Sequence, residues 1–568
     1  MRWQRGGFAA PFFIVALLLA VTGSRVGTVA PWALACACLG ASIWASPAAE
    51  GMSTMRFAVW AFALLIVADT LLLSPAYTPA GLYLPVLLLL SFEAARRLHG
   101  VHRAWCARAI VGLGTIVCVA GLAEAFGDPP LRAHAFFETA AIYGAMLNVV
   151  LVYMIAVLVQ GGGSRLLAAI TALFAAAVLA SQSRGAEVSL VLGCLAVAVL
   201  TTRAGTFRKK SMALAVAAAL TLGWLGSESI RRAHQDVEVA VTEMNRPATD
   251  AARKESTIGR FELYALALDA WRASPLTGTG YLTFRYQLEQ NHERTPAYGL
   301  TNETWFVHND YLQSLQELGP LGLAGILAIA LLPLWRAYRR VPSLPPDSRQ
   351  VVVAAAAAAA SMACHALVDY PFHVPACLVV YGGLLGALDT HLATADARSN
   401  VLSRLAPWWH SSRRIAIFVA TIVLARPLLA EAAAGWGMRQ FSHGASRDAA
   451  LWLGVATRVE PADWRYHWYA GQFWDNQATT SGRPAAAQLS VRAFEAGLRA
   501  NPYEVTNLLC LIEVERRHRA LLGNATSPDD FRGWMHRATQ LAPLDPAVAQ
   551  ERERVEAFLA RDMQEAGK

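Results

Sequence analysis

Apolar runs of roughly 16–22 residues, the length that crosses a bilayer core as a helix, fill most of the first three quarters of the chain. They alternate with short polar turns and predict about thirteen membrane-spanning helices. These lie near residues 8–22, 28–46, 57–74, 79–92, 109–125, 139–159, 165–181, 185–201, 211–226, 318–335, 350–368, 374–392 and 414–429. No clear small-residue cleavage site follows the first run, so it reads as a retained helix rather than a removed signal peptide. Two stretches break the pattern. Residues 227–317 form one large polar loop, in which Arg260–Arg272, RFELYALALDAWR, sets Phe261, Tyr264, Leu268 and Trp271 on one helical face. Ser274-Pro275 ends that helix, and Gly278 and Gly280 supply a tight turn. The tail, residues 431–568, is charged, Trp-rich and helical in pattern. The expected fold is therefore all-α: an N-terminal bundle over 1–226, the loop over 227–317, further spans over 318–430 and a helical domain over 431–568.

Composition agrees. Of 568 residues 55% are hydrophobic and 16% charged, with a mean hydropathy of +0.35, where a soluble domain carries about 25% charged residues. The net charge of +8 is set out in clusters rather than as a nucleic-acid footprint, so no nucleic-acid partner is expected. Arg2 and Arg5, Arg96, Arg97, Arg103 and Arg108, Arg203, Arg208, Lys209 and Lys210, Arg336, Arg339 and Arg340, and Arg413 and Arg414 all fall on one side if the spans alternate. The positive-inside rule makes that side the cytoplasm. Arg132, Arg184, the large loop, the turn Asp369–Pro375 and the whole tail then lie on the exoplasmic side. The eight cysteines, seven of them in or beside apolar spans, form no disulfide framework and no zinc spacing.

The tail carries an internal repeat. Pro461, Pro502 and Pro543 are 41 residues apart, and a small residue, Ala456, Gly497 or Ala538, stands five positions before each. The strings ATRVEPAD, GLRANPYE and ATQLAPLD resemble tetratricopeptide (TPR) repeats at a longer period, so the tail reads as a TPR-like helical domain fit for a protein partner.

Candidate chemistry gathers on the exoplasmic side. Arg184, in SQSRGAEVSL, sits in a short turn between two apolar helices; it either snorkels to the interface or binds an anion, and at headgroup depth a diphosphate is the natural partner. Arg260 opens the amphipathic loop helix and Arg132 lies beside the sixth span; each is a plain surface charge or a further phosphate clamp. His308 follows Trp305 and Phe306 and precedes Asn309, Asp310 and Tyr311. If 308–317 is helical it shares a face with Leu312 and Leu315, and it is either an interfacial histidine or a general base near neutral pKa. Asp310 reads as a helix cap. In CHALVDYPFHVPA, His365, Asp369, Tyr370 and His373 cluster at the end of the eleventh span, where Asp369 or His373 could orient the acceptor or the base. Nothing in these spacings supports a metal site, and no Walker, dinucleotide, GxSxG or HExxH motif is present. No cofactor is expected; the substrate must bring its own activation.

Three strings, SQSRG, RFELYALALDAWRASPLTGTGYLTF and HNDYLQSLQELGPLGLAG with HALVDYPFHVPA downstream, together resemble the O-antigen ligase/polymerase superfamily of bacterial membrane glycosyltransferases, over roughly residues 130–390. One stretch departs from the family: Phe136-Phe137-Glu138-Thr139-Ala140 stands where members often show a Phe-Phe-Asn-Pro-Asn-like run after the first arginine. The resemblance implies a C-type, metal-independent, inverting glycosyltransferase of the bacterial inner membrane, with a cytoplasmic N-terminus and a periplasmic tail. Its donor is a polyprenyl-diphosphate-linked glycan and its acceptor a glycan, lipid A-core or protein hydroxyl. It assigns Arg184 and Arg260 to the diphosphate, with Arg132 as a third candidate, and His308 to the base or acceptor-positioning role. Asn309, Asp310, Tyr311, Asp369 and His373 stand as acceptor or supporting residues. Ligase, polymerase and protein O-oligosaccharyltransferase reactions share these residues. A lipid-linked glycan flippase would instead place charges near mid-membrane in related halves, and a scaffold would need only the tail.

Overall fold

In a computed structural model the described residues are 9–26, 29–45, 53–98, 100–127, 133–161, 163–205, 257–291, 306–393, 406–523 and 526–566. They contain helices and no strand. In chain order the helices are α1 (Ala9–Val26), α2 (Val29–Ala45), α3 (Thr54–Ala68, ending in a wide turn, Asp69–Leu73), α4 (Ala80–Arg97), α5 (Gly100–Ala125), α6 (Ala140–Val159), α7 (Arg165–Ala180) and α8 (Arg184–Arg203). Across the large loop and the later spans come α9 (Thr257–Ala273), α10 (Phe284–Gln290), α11 (Asp310–Arg340), α12 (Pro346–His365), α13 (Pro375–Ala393) and α14 (Ala406–Ser442). The tail holds α15 (Ser446–Val459), α16 (Trp464–Ser481), α17 (Pro484–Ala500), α18 (Val505–Arg517), α19 (Pro528–Leu541) and α20 (Pro546–Ala566). Twelve of the expected spans fall on these helices; the one at 211–226, with the cluster Arg208–Lys210, lies outside the described residues. Six helical stretches are long and apolar enough to cross a membrane, Thr54–Leu73, Gly100–Ala125, Ala140–Val159, Arg184–Arg203, Asp310–Ser343 and Pro375–Leu392, and shorter apolar helices accompany them. The chain is a multi-pass membrane protein.

α12 runs through the middle of the bundle, packed on α6, α8, α11 and α13. Its alanine run, Ala354–Ala360, is buried throughout. Such small side chains let neighbouring backbones approach, which is how helices gain packing energy in lipid. One end of the bundle carries a buried charge network. Arg56 pairs with Glu93 at 2.6 Å, Arg96 with Asp389 at 2.7 Å and Arg336 with Asp389 at 3.4 Å. Arg203 stacks over Tyr338 and Arg103 meets His391 at the same end. Among the described residues, Arg96, Arg103, Arg203 and Arg336 from three of the basic clusters meet partners at this end, as buried guanidinium groups must.

The helix α11 contains a break. Gly319 has φ 66° and ψ −162° inside it, and Pro320 follows. The expected span start near residue 318 marks this break rather than the beginning of the helix, which lies at Asp310. Pro320 has no N–H to offer the Gln316 carbonyl. Thr279 N donates to that carbonyl at 3.0 Å, and Gly280 N donates to Glu317 O at 2.9 Å. The Gly278–Gly280 turn is therefore seated on the break, where a Cβ on Gly278 would collide with the Glu317 carbonyl.

The tail consists of three helix hairpins, α15–α16, α17–α18 and α19–α20, with the repeated prolines in the turns between the paired helices. Ala456 and Ala538 are fully buried, and a Cβ on Gly497 would stand 2.8 Å from the Asn507 side chain. The small residues thus mark close helix approach within each pair. The single helix α14 leads from the bundle into the tail and packs on α15.

Candidate functional site

Two segments far apart in sequence interlock at the other end of the bundle. The approach to α11 runs Phe306–Asp310; the turn after α12 runs Ala366–Val374. Asp310 N donates to Ala366 O at 2.9 Å, and Tyr311 Oη donates to Ala363 O at 2.7 Å. The Asp310 carboxylate accepts from Phe372 N at 2.9 Å and pairs with His373 Nδ1 at 2.7 Å. Asp310 is thus not the helix cap expected of it. Asn309 caps α11, accepting from Tyr311 N at 3.1 Å and Leu312 N at 3.0 Å, because its extended backbone aims the side chain at those donors.

His308 lies just outside the helix, with φ 58°, so the face expected with Leu312 and Leu315 does not form. Its Nδ1 meets Asp369 Oδ1 at 3.1 Å, and Tyr264 Oη donates to its carbonyl at 3.1 Å. The Asp369 side chain is 2% exposed and that of His308 18%. Of the two residues expected to orient the imidazole, Asp369 touches it, and His373 belongs to the neighbouring Asp310 pair. With Nδ1–H directed at the carboxylate, Nε2 is the nitrogen able to take a proton.

Asp369 also accepts from Tyr370 N at 3.0 Å and faces His365 Nε2 at 3.8 Å. Burial opposes its ionisation, but hydrogen bonds and charge from His308 and His365 hold its carboxyl well below the usual carboxylate range. A buried row continues behind it. His365 Nδ1 meets Ser189 Oγ at 3.2 Å, and Asn148 Nδ2 donates to that hydroxyl at 3.0 Å. Burial works against a charge on His373, but the Asp310 and Glu317 carboxylates raise its pKa above the ordinary imidazole value. Aromatic rings hold this wall: Phe306 stacks on Tyr370 at 4.1 Å and Tyr281 on His373 at 5.6 Å.

Arg184 opens α8, capped by Ser183. A Cβ on the next residue, Gly185, would stand 2.9 Å from Val368 and 3.3 Å from the His365 ring. The glycine lets the helix start abut the turn that carries Asp369. Arg260 lies one helical turn before Tyr264 on α9 and acts electrostatically on that phenol, as Asp369 does. Arg184 thus starts a helix that abuts the Asp369 turn, and Arg260 shares its helix with Tyr264, whose phenol bonds the His308 carbonyl. Arg132 and Trp305 lie outside the described residues.

Glu138, part of the stretch that departs from the family pattern, belongs here too. Burial raises its carboxyl pKa, His308 lowers it and Asp369 raises it. Three helix starts meet around the pair: α6 after Glu138, α8 at Arg184 and α11 after His308. Each brings the positive end of its dipole, a setting that favours anions. Among the described residues four non-glycine positions have positive φ, Ala135, Gln182, Leu282 and His308, and all four lie in segments that build this site. Strained backbone of this kind costs on the order of 1–3 kcal/mol per residue, which the surrounding hydrogen bonds offset.

Sequence reasoning passed over Glu138, Tyr264, Tyr281 and Ser189 as site residues. The spacing of His365 and Asp369, one helical turn, was the available signal for their pairing; the others needed the fold. Among the described residues no group of three His, Cys, Asp or Glu side chains could hold a metal ion.

Residues 167–327 match the family model described as O-antigen ligase, which supports the O-antigen ligase/polymerase superfamily. The match contains Arg184, Arg260 and His308 and ends before Asp369. No curated protein matches the chain.

Proposed function

We propose that this chain, with its O-antigen ligase-type domain, is an inner-membrane glycosyltransferase. It moves a glycan from polyprenyl diphosphate onto an acceptor hydroxyl at the periplasmic face. The observation that carries the reading is the His308–Asp369 pair, set between two arginine-bearing helices. His308 Nε2 takes the proton of the acceptor hydroxyl. The hydroxyl oxygen bonds to the anomeric carbon as the bond from that carbon to the diphosphate oxygen breaks. Polyprenyl diphosphate leaves with the bonding pair, and the configuration inverts. Arg184 and Arg260 clamp its charge, because a guanidinium fork matches phosphate oxygens and cannot lose its proton. The Asp369 carboxylate stabilises the imidazolium formed. Asp310, His373, Asn309 and Tyr311 hold the turn and the helix start in register, and Arg132 stands as a further candidate clamp. Diphosphate is a good leaving group, so the residues need supply little acid assistance; charge stabilisation and deprotonation suffice.

The tail is proposed to be a TPR-like periplasmic domain. Such a domain leans toward polymerisation or protein glycosylation, while transfer to lipid A-core uses the same residues. Deleting the gene and resolving envelope glycans by gel separates these: lost long chains on lipid A identify a ligase, lost polymer a polymerase, and an unmodified glycoprotein a protein-modifying enzyme. Unchanged glycans, or a lipid-linked intermediate trapped at the cytoplasmic face, would overturn the assignment.

A further inference from the structure

The three repeat turns of the tail occupy equivalent positions but make different contacts. They read Glu460-Pro461-Ala462-Asp463, Asn501-Pro502-Tyr503-Glu504 and Ala542-Pro543-Leu544-Asp545. In the first and third turns the closing aspartate serves its own helix: Asp463 accepts from Arg465 N at 3.1 Å and Asp545 from Ala547 N at 2.7 Å. In the second turn a longer glutamate takes that place: its Oε1 accepts from Thr506 Oγ1 of its own helix at 2.9 Å, and its Oε2 reaches outward. Glu504 pairs with Arg285 of α10 at 2.7 Å, both side chains being largely buried. Asn501 Nδ2 donates to Tyr286 Oη at 2.6 Å, Tyr503 stacks on the Tyr286 ring at 5.7 Å, and the Arg285 guanidinium lies 4.5 Å over that same ring.

The helix α10 is short, so its orientation depends on what holds it. Its apolar side chains, Phe284 and Leu288, are buried against Leu263, Leu266 and Ala267 of α9 and against Val307, the residue before His308. It follows directly on the turn that is seated on the α11 break. The second repeat turn therefore grips one side of a bracket whose other side carries the helix of Arg260 and Tyr264 and the approach to His308.

The first turn makes a second foothold. Glu460 pairs with Arg426 of α14 at 3.0 Å. Tyr466 Oη reaches Pro427 O at 3.4 Å, and Glu431 of α14 accepts from Val29 N at 3.1 Å. The tail thus stands on the membrane domain through successive repeat turns, and the second is the one beside the site.

We propose that Arg285 and Glu504 are positioning residues: the second repeat turn seats α10 and thereby holds Arg260 and His308 in place. The tail is then a strut for the large loop as well as a surface for partners. The effect on transfer rests on the reading given under Proposed function; the seating of α10 does not.

The test uses the full-length protein in lipid nanodiscs, with R285E, E504R, the double exchange R285E/E504R and the milder E504Q. Hydrogen exchange over α9 and α10 reads the seat, and steady-state transfer from a synthetic polyprenyl-diphosphate-linked sugar reads the site. Each single charge reversal should raise exchange in both helices and lower kcat/KM by about tenfold or more, chiefly through KM for the donor, since a buried charge left unpaired is costly. E504Q should lie between, and the double exchange should restore both readouts. Wild-type exchange in the single variants overturns the seat. Raised exchange with unchanged KM and kcat overturns the positioning role, and so does a double exchange that folds yet restores neither. Full transfer by a His308→Ala variant would sink the proposed chemistry while leaving the exchange result standing.

Discussion

His308 holds a left-handed backbone conformation that a histidine adopts only when its surroundings demand it. The demand comes from Asp369 on its ring and Tyr264 on its carbonyl. His308, the catalytic candidate, and Asp369, a supporting one, were both legible as residues; their partnership was not, because 61 positions separate them and the pairing depends on the turn after α12 folding back over the start of α11. Asp310 and Asn309 show the same limit. Either residue type can cap a helix, and only the backbone angles decide that Asn309 does so, freeing Asp310 for His373. That second pair makes stability depend on pH. The folded pKa of His373 is raised by the Asp310 carboxylate, so its contribution is fully present below the unfolded value of about 6.5 and is lost as pH rises through the folded value. Asp369, whose folded pKa is lowered, acts in the opposite sense: its contribution is fully present above about pH 4 and is lost as pH falls below it. Melting temperature in detergent should therefore fall on going from about pH 6.5 to about pH 9, and a His373→Gln variant should show a flatter profile over that window. Equal slopes in the two proteins would count against the pair.

Among the elements, α11 carries the most consequence. Its first turns, Asp310–Leu318, are polar on paper, with Gln313, Gln316 and Glu317 all buried. The hydropathy pattern therefore started a span only at the break. Those side chains are polar because they bind the loop: Gln313 accepts from Val307 N at 3.0 Å and donates to Glu317 at 2.9 Å. The break itself is written in Gly319-Pro320. A residue with φ 66° and ψ −162° must be glycine, and a Cβ there would strike the Leu276 carbonyl. Gly319→Ala should cost about 1–3 kcal/mol or more, read as a lower melting temperature of the full-length protein together with reduced transfer. An unchanged melting temperature would show that the break is not required. The helices of the bundle were legible because span length and apolarity are set by the bilayer; the seating of α10 was not, since seven residues carry too little periodicity to announce a packed helix.

Across the whole molecule, polarity is divided between two ends. One holds the buried network of Arg56, Glu93, Arg96, Arg336 and Asp389, and the other gathers His308, Asp369, Arg184, Arg260 and Glu138. The positive-inside rule led to the expectation that the basic loops would share one side, and among the described residues Arg96 and Arg336 meet at Asp389. The 41-residue repeat was likewise visible, and its first two turns proved to be contact points with the membrane domain. In the proposed reaction His308, oriented by Asp369, draws the proton from an acceptor hydroxyl while the arginines hold the diphosphate. The most direct test is turnover of a polyprenyl-diphosphate-linked glycan by purified protein in liposomes, comparing wild type with His308→Ala and following release of free polyprenyl diphosphate. For His308→Ala, kcat should fall by about 10²–10⁴-fold while donor binding is retained. A His308→Ala protein that turns over at the wild-type rate would contradict it.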